Sequence, residues 1–344
     1  MAVIPAQAAF TSLYVFGDGL STTTNNPSPG PHYYGKRYSN GRVWVEVLAQ
    51  RQGLTYDPNK NWSYFYDSCT GMLANVTSFQ VPSDASNDLF VIWVNCADLW
   101  FQSYYDGTNM ASWTNAINQS QTNHYKAATN LYAKGVRTLI MPNAVDLSTI
   151  PQFNTSANVS FIHLRCRDYN LAFSNTLNRI RVACPNLSLY TPDYFALLTN
   201  LLSHPTSYGV TNALGGGLSI DAINAVNFGY PAAATNGFGT NFIFWDPTDP
   251  TAKVHEIMAD AVQQLISPAQ IGRVTFFNGS NRLDLARVPV GLNGLVLGCT
   301  NLMQSIWTTN ATFVGSNVTQ SVYVTNSGPL RYYRVNYPDS WKWP

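Results

Sequence analysis

The chain alternates short apolar runs with amphipathic stretches. Residues 13–16, Leu-Tyr-Val-Phe, form an apolar run that breaks at Gly17, which predicts a buried strand entering a tight turn. Residues 43–51 carry apolar positions at Val43, Trp44, Val47 and Leu48, a helical spacing, and Gly53 follows as a stop. A second strand is predicted at 61–65, and a third at 89–94, continuous and apolar as for a sheet covered on both faces. A helix over 125–134 leads to Gly135 and a fourth strand at 137–142. Residues 160–183 repeat apolar side chains at Phe161, Leu164, Leu171, Phe173, Leu177 and Ile180, which predicts a long helix. A fifth strand at 187–190, a helix at 194–202 and a last helix at 252–266 complete the series.

Strands alternating with helices imply parallel βαβ units. The fold class expected is α/β, a three-layer α/β/α sandwich around a central parallel sheet. Residues 210–240, rich in Gly, Ala and Asn, read as a long loop capping the sheet edge. After Ser267-Pro268 the pattern changes to short strand-like runs between Asn, Gly and Ser turns. Two domains are expected: 12–266, and a small all-β sandwich over 270–344, a binding module or a packed appendage.

Composition narrows the partners. Charged residues are 11% of the chain, against about 25% in a typical soluble domain, and the net charge is +1. That gives no electrostatic case for nucleic acid. No run of 18 apolar residues predicts a membrane span. Low charge, 13% aromatic residues and an Ala-x-Ala-like pattern at the start point to a secreted, extracellular or periplasmic protein. Cys69, Cys96, Cys166, Cys184 and Cys299 are odd in number and lack a C-x-x-C spacing, which argues against zinc and leaves room for one or two disulfides. No cofactor is called for.

Five motifs occur in a fixed order. Phe16-Gly17-Asp18-Gly19-Leu20-Ser21 comes first, then Ser39-Asn40-Gly41-Arg42-Val43-Trp44. Asn61-Trp62-Ser63 follows, then Asn95-Cys96-Ala97-Asp98 after an apolar strand, and Phe244-Trp245-Asp246-Pro247-Thr248-Asp249-Pro250 near the last helix. In this order they resemble the SGNH/GDSL ester hydrolases over about residues 12–266. The resemblance implies a serine esterase acting on acyl or acetyl esters. It puts the nucleophile's position at Gly19, where serine is expected. Asp246 stands where the orienting acid belongs, and Asp249 where the histidine belongs. The oxyanion donors fall on the backbone of Gly19, on Tyr66 and on Ala97, with Asn95 in place of a glycine. Asp18 and Asp98 are the flanking acids.

A serine hydroxyl attacks only after a neighbouring imidazole takes its proton. Gly19 has no hydroxyl and Asp249 no imidazole. Ser21, Ser68 and Cys69 lack a histidine placed by motif, and His255, six residues after Asp249, falls inside a helix. The chain as written is therefore expected to be inactive by the serine route, as an inactivated variant or a natural pseudoenzyme. Two other readings remain. Tyr66, Asn95, Trp93 and Trp100 suit a non-catalytic protein binding a small ester or glycan. Asp18, Asp246 and Asp249, brought to one sheet edge, suit an acid-based enzyme.

Overall fold

The computed structural model describes residues 10–24, 29–210, 222–225, 242–277, 279–303, 306–325 and 332–337. Its centre is a four-stranded parallel sheet in the order β1 (Leu13–Gly17), β2 (Leu89–Trp93), β3 (Thr138–Ile140), β4 (Ser188–Tyr190). Every residue of β1 and β2 is buried, and the two pair in register from Leu13↔Leu89 to Gly17↔Trp93. Such runs of large apolar side chains are stable only when helices cover both faces. α1 (Trp44–Arg51) packs with α8 (Ala252–Ile266), and α6 (Tyr194–Ser203) reaches α8 through the Tyr194 hydroxyl, which donates to the Met258 carbonyl at 3.2 Å. α2 (Cys69–Ser78), α4 (Met110–Ala133) and α5 (Val159–Ala183) pack together as a second group, and α3 (Asn95–Phe101) follows β2 directly. The chain thus has the expected α/β architecture with a central parallel sheet. A short helical turn, α7 (Ala222–Ala225), lies between α6 and α8.

The strand expected at 61–65 is reduced to one parallel bridge, Val15↔Asn61. Trp62 and Tyr64 still donate to the Val15 and Gly17 carbonyls, at 2.8 and 3.1 Å. The Asn61 side chain then ends the pairing: its Oδ1 accepts from Ser63 N and its Nδ2 donates to the Ser21 carbonyl. A local Asx bond competes with the ladder and turns the chain. The helix expected at 125–134 is the end of α4, whose start is capped by Asn109. Its first half is mostly polar, so apolar periodicity misses it. α2 and α3 also escape the periodicity. The long loop at 210–240 falls almost wholly outside the described residues. All five cysteines are unpaired and buried, so the bridges that spacing allowed are not formed.

Beyond α8, β5 (Gln270–Phe277), β6 (Ser280–Ala286) and β9 (Thr319–Thr325) form one antiparallel sheet. β10 (Tyr332–Asn336), β7 (Asn293–Cys299) and β8 (Thr308–Val314) form a second. Leu283, Leu285, Val288, Val296, Val322 and Val324 make a core separate from the main one. Arg51 ties the two parts: its Nε pairs with Asp260 Oδ1 at 2.7 Å, and its Nη1 donates to the Val290 carbonyl at 3.1 Å.

Candidate functional site

Asp18 caps the 3-10 turn Gly19–Ser21 that follows β1. Its Oδ1 accepts from Leu20 N at 3.1 Å and its Oδ2 from Ala97 N at 3.3 Å, so it joins the β1 turn to the start of α3. The Ala97 N–H, one of the expected oxyanion donors, is thereby occupied. Burial pushes the Asp18 carboxyl up to about 7, against the pull of those two N–H bonds.

Nothing projects from residue 19, and little could. A Cβ built there would stand 2.8 Å from Cδ2 of Phe65. That ring is held in place: it stacks on Tyr38 at 3.8 Å and 6°, and lies 3.9 Å from the Tyr66 ring. Tyr66 has φ +68°, the left-handed conformation that glycine adopts freely and a bulky residue rarely does. A turn fit for glycine therefore carries a tyrosine. Ser21 is structural, its Oγ accepting from Trp44 Nε1 at 3.0 Å.

The Ser-Asn-Gly-Arg motif positions the second half of the site. Ser39 Oγ donates to the Pro250 carbonyl at 3.0 Å, and Asn40 Oδ1 accepts from Ala252 N at 2.7 Å. Gly41 permits this approach, since a Cβ there would meet Ala252 Cβ at 2.6 Å. These contacts fix the start of α8 and, just before it, the turn from Asp246 to Asp249. Asp246 Oδ1 accepts from Thr248 N and Asp249 N at 2.8 and 2.7 Å, and its Oδ2 accepts from Tyr33 OH at 2.8 Å. Asp249 is 3% exposed. Burial, the Asp246 and Asp18 charges and a hydrogen bond with Asp246 all drive its carboxyl well above the usual range. It is a carboxyl group at the position where the family mechanism places an imidazole.

Gly19 and Asp249 face one cavity of about 110 Å³. It opens at the carboxyl edge of β1 and β2, where ligands gather in open α/β sheets. Asp18, Tyr66, Ala97, Trp93 and Trp100 also line it. Leu197, Leu198 and Leu201 of α6 and Val254 and Met258 of α8 supply much of its apolar lining.

Four expected site residues lie elsewhere. Asn95 is fully buried and donates from Nδ2 to the Pro142 carbonyl at 2.9 Å, so it pins the end of β3. Asp246 is spent on its own turn and on Tyr33. Asp98 points into a closed polar network: Oδ1 accepts from Cys69 N, and Oδ2 from Ser120 Oγ at 2.6 Å. Ser120 also meets the Tyr169 hydroxyl at 2.8 Å and lies 3.3 Å from His124 Nδ1. Ser, His and Asp stand together here, but all three are buried off the cavity and the hydroxyl serves the acid. His255 is fully buried within α8, and burial pushes its imidazole down to about 3. The acids of the expected cluster are thus divided: Asp18 and Asp249 share the cavity, while Asp246 stands behind Asp249.

Sequence reasoning missed Tyr33, Tyr38 and Phe65. The only signal was the density of aromatic residues at 33–38 and 64–66, beside two of the motifs. Among the described residues no group of His, Cys, Asp and Glu could hold a metal ion. No described helix is long and apolar enough to cross a membrane.

A family model described as GDSL-like lipase/acylhydrolase matches residues 13–262. A GDSL esterase/lipase of Arabidopsis thaliana is 21% identical over 323 residues, covering 73% of this chain and 85% of the relative. A phosphatidylcholine-sterol acyltransferase of Aeromonas hydrophila is 24% identical over 319 residues, covering 76% and 91%. Among solved structures, an acetylxylan esterase from Geobacillus stearothermophilus aligns over 75% of this chain and 95% of its own, with a TM-score of 0.43 and 12% identity.

Proposed function

Because this chain belongs to the GDSL-like lipase/acylhydrolase family, we propose that its cavity holds the acyl part of an ester, and that the chain as it stands does not cleave esters by a serine route. The observation that carries this reading is the Phe65 ring, 2.8 Å from where a side chain of residue 19 would begin. The nucleophile is missing and its space is closed. A buried carboxyl, Asp249, raised by burial and by the Asp246 and Asp18 charges, stands where the mechanism places an imidazole. The site is remodelled in several places rather than disabled in one.

Support for an acyl ligand comes from the lining. The lining of the cavity is mostly aliphatic and aromatic. The relatives are named for esterase, lipase and acyltransferase activity, all reactions of acyl groups. A glycan is less well served, since the interior offers few amide or hydroxyl partners. An acid-based hydrolase is also less well served, because Asp246 does not reach the cavity. Secretion belongs to the same proposal and is supported by the low charge and high aromatic content of the chain.

The test is turnover of p-nitrophenyl acetate and p-nitrophenyl hexanoate by the unmodified chain, with and without a fluorophosphonate. No turnover above that of the heat-denatured protein is expected, and no covalent adduct. Turnover abolished by the fluorophosphonate would mean that a serine elsewhere does the work, and the proposal would fall.

A further inference from the structure

Beside the cavity, five aromatic rings close into a circuit. Tyr66 stands on its left-handed turn, Trp100 and Phe101 end α3, and Tyr104 and Tyr105 lie on the π-helical turn Gln102–Asp106 that continues it. Trp100 stacks on Tyr104 at 4.8 Å and 9°, and Phe101 on Tyr105 at 6.3 Å and 18°. Tyr104 meets Tyr105 at 4.9 Å, and Tyr66 closes the circuit at 6.2 Å from Trp100 and 5.8 Å from Phe101. Tyr66, Trp100 and Phe101 also line the cavity, so the rings and the cavity form one continuous surface. Tyr66, Tyr104 and Tyr105 are nonetheless 56%, 53% and 69% exposed. Large rings gathered in the open mark an interaction surface.

The polar side chains among these rings serve their own segment. Gln102 Oε1 and Asp106 Oδ2 both lie within hydrogen-bond reach of Ser112 Oγ. Ser103 Oγ donates to the Leu99 carbonyl at 2.9 Å, and Asn109 Oδ1 caps α4. What the rim offers outward is ring surface and phenol hydroxyls. No Lys or Arg occurs between positions 61 and 125, and the acids beside the rings in the chain are Asp67 and Asp106. Beyond the rim, Arg165 of α5 reaches Met110, and it is paired with Asp168 at 2.7 Å. An anionic surface therefore meets no counter-charge here. A glycan is served poorly as well, since the amide and carboxylate groups of the segment are engaged within it and Tyr104 covers a face of the Trp100 indole. Rings with an apolar body and a polar tip gather where hydrocarbon meets water, at the head-group level of a bilayer.

We propose that this aromatic rim docks the protein on an electrically neutral lipid surface, with Tyr66, Tyr104 and Tyr105 at the head-group level and the cavity turned to the acyl chains. The proposal rests on the acyl-cavity reading above for what enters the cavity, and adds the surface from which that acyl group is drawn. Binding of this kind scales with the apolar surface buried. It does not depend on charge, whereas a contact between exposed charges weakens as salt rises.

The test is sedimentation of the full chain with sucrose-loaded phosphatidylcholine vesicles, at low and at high sodium chloride. The chain is expected to sediment with the vesicles, with a partition coefficient that changes less than twofold between the two salt levels. Tyr104→Ser/Tyr105→Ser should lower that coefficient at least tenfold. Val182→Ser removes an exposed apolar side chain at the end of α5 that leads into β4, on the opposite edge of the sheet, and should leave it within twofold. Absence of sedimentation overturns the docking. So does binding that needs added phosphatidylserine or is lost at high salt, and so does equal binding by the tyrosine variant. A soluble xylan that displaces the chain from the vesicles would give the rim to a glycan, and a dimer lost in the tyrosine variant would give it to a second copy; either overturns the proposal. None of these results touches the acyl-cavity reading, which the ester and fluorophosphonate assay judges separately. The comparison of lipids and salt on the unmodified chain decides the matter even where a variant does not fold.

Discussion

Restoring the missing nucleophile by Gly19→Ser is the simplest repair, and it is expected to fail. A serine Cβ would lie 2.8 Å from Phe65 Cδ2, and ordinary contact begins near 3.4 Å, so the ring must move by roughly 0.6 Å. It cannot move alone. Its face is stacked on Tyr38 at 3.8 Å and its edge packs on Tyr66 at 3.9 Å. Overpacking of this kind costs typically about 1–3 kcal/mol, and an aromatic pair contributes about 0.5–1.5 kcal/mol. A loss near 2 kcal/mol in a chain of 344 residues lowers the melting temperature by about 3 °C when the chain unfolds as one unit. The hydroxyl, once installed, would have the Asp249 carboxyl across the cavity instead of an imidazole. Differential scanning fluorimetry should therefore show the drop, and p-nitrophenyl hexanoate should be hydrolysed no faster than by the parent. Gly19→Ser with Phe65→Ala and Asp249→His supplies space, nucleophile and base together, and is the combination expected to turn over ester. A Gly19→Ser protein as stable as the parent that also shows a burst of p-nitrophenol would refute this reasoning. The ring would then be no obstacle, and the parent would be an esterase lacking a single side chain.

Other outcomes follow from the same contacts. The folded Asp18 carboxyl sits near 7, above its unfolded value of 3.8, so its contribution to stability is fully present below about pH 4 and is lost as pH rises through 7. The loss is at most about 4 kcal/mol, and Asp18→Asn should flatten a melting-temperature profile between pH 4 and 8; an unchanged slope would assign the dependence to another group. Arg51→Met leaves Asp260 buried without its partner and should cost about 3–5 kcal/mol in urea unfolding, with most of it regained in Arg51→Met/Asp260→Leu. Equal losses in the single and double variants would contradict that account. Tyr33→Phe removes the donor to Asp246 Oδ2 and should cost about 1–3 kcal/mol. Asn40→Ala frees the start of α8 and should weaken ligand binding in the cavity more than Arg42→Ala, whose guanidinium donates to Gln50 at the surface.

Much of this protein is legible along the chain. Residues 13–16, 89–94 and 252–266 each declare their element locally, because a buried strand needs a continuous apolar run and an amphipathic helix repeats with its own turn. The order of the motifs led to the expectation that Asp18, Asp246 and Asp249 meet at one sheet edge, because a parallel sheet brings its strand ends to the same side; Asp18 and Asp249 line the cavity there, and Asp246 does not. Even the Ser39-Asn40-Gly41 motif is readable, although its task, holding the turn before α8, involves residues more than two hundred positions away. The tertiary structure alone decided where side chains point. Asn95 and Asp98 sit two and five residues beyond the end of β2, yet both turn away from the cavity to satisfy buried backbone and hydroxyl groups. It alone decided that Phe65 covers Gly19, since that contact spans 46 positions and depends on Tyr66 accepting a left-handed turn. The upward push on the Asp249 carboxyl belongs to the same class. A carboxylate's charge is set by what surrounds it, and desolvation and neighbouring acids exist only once the chain has folded around them.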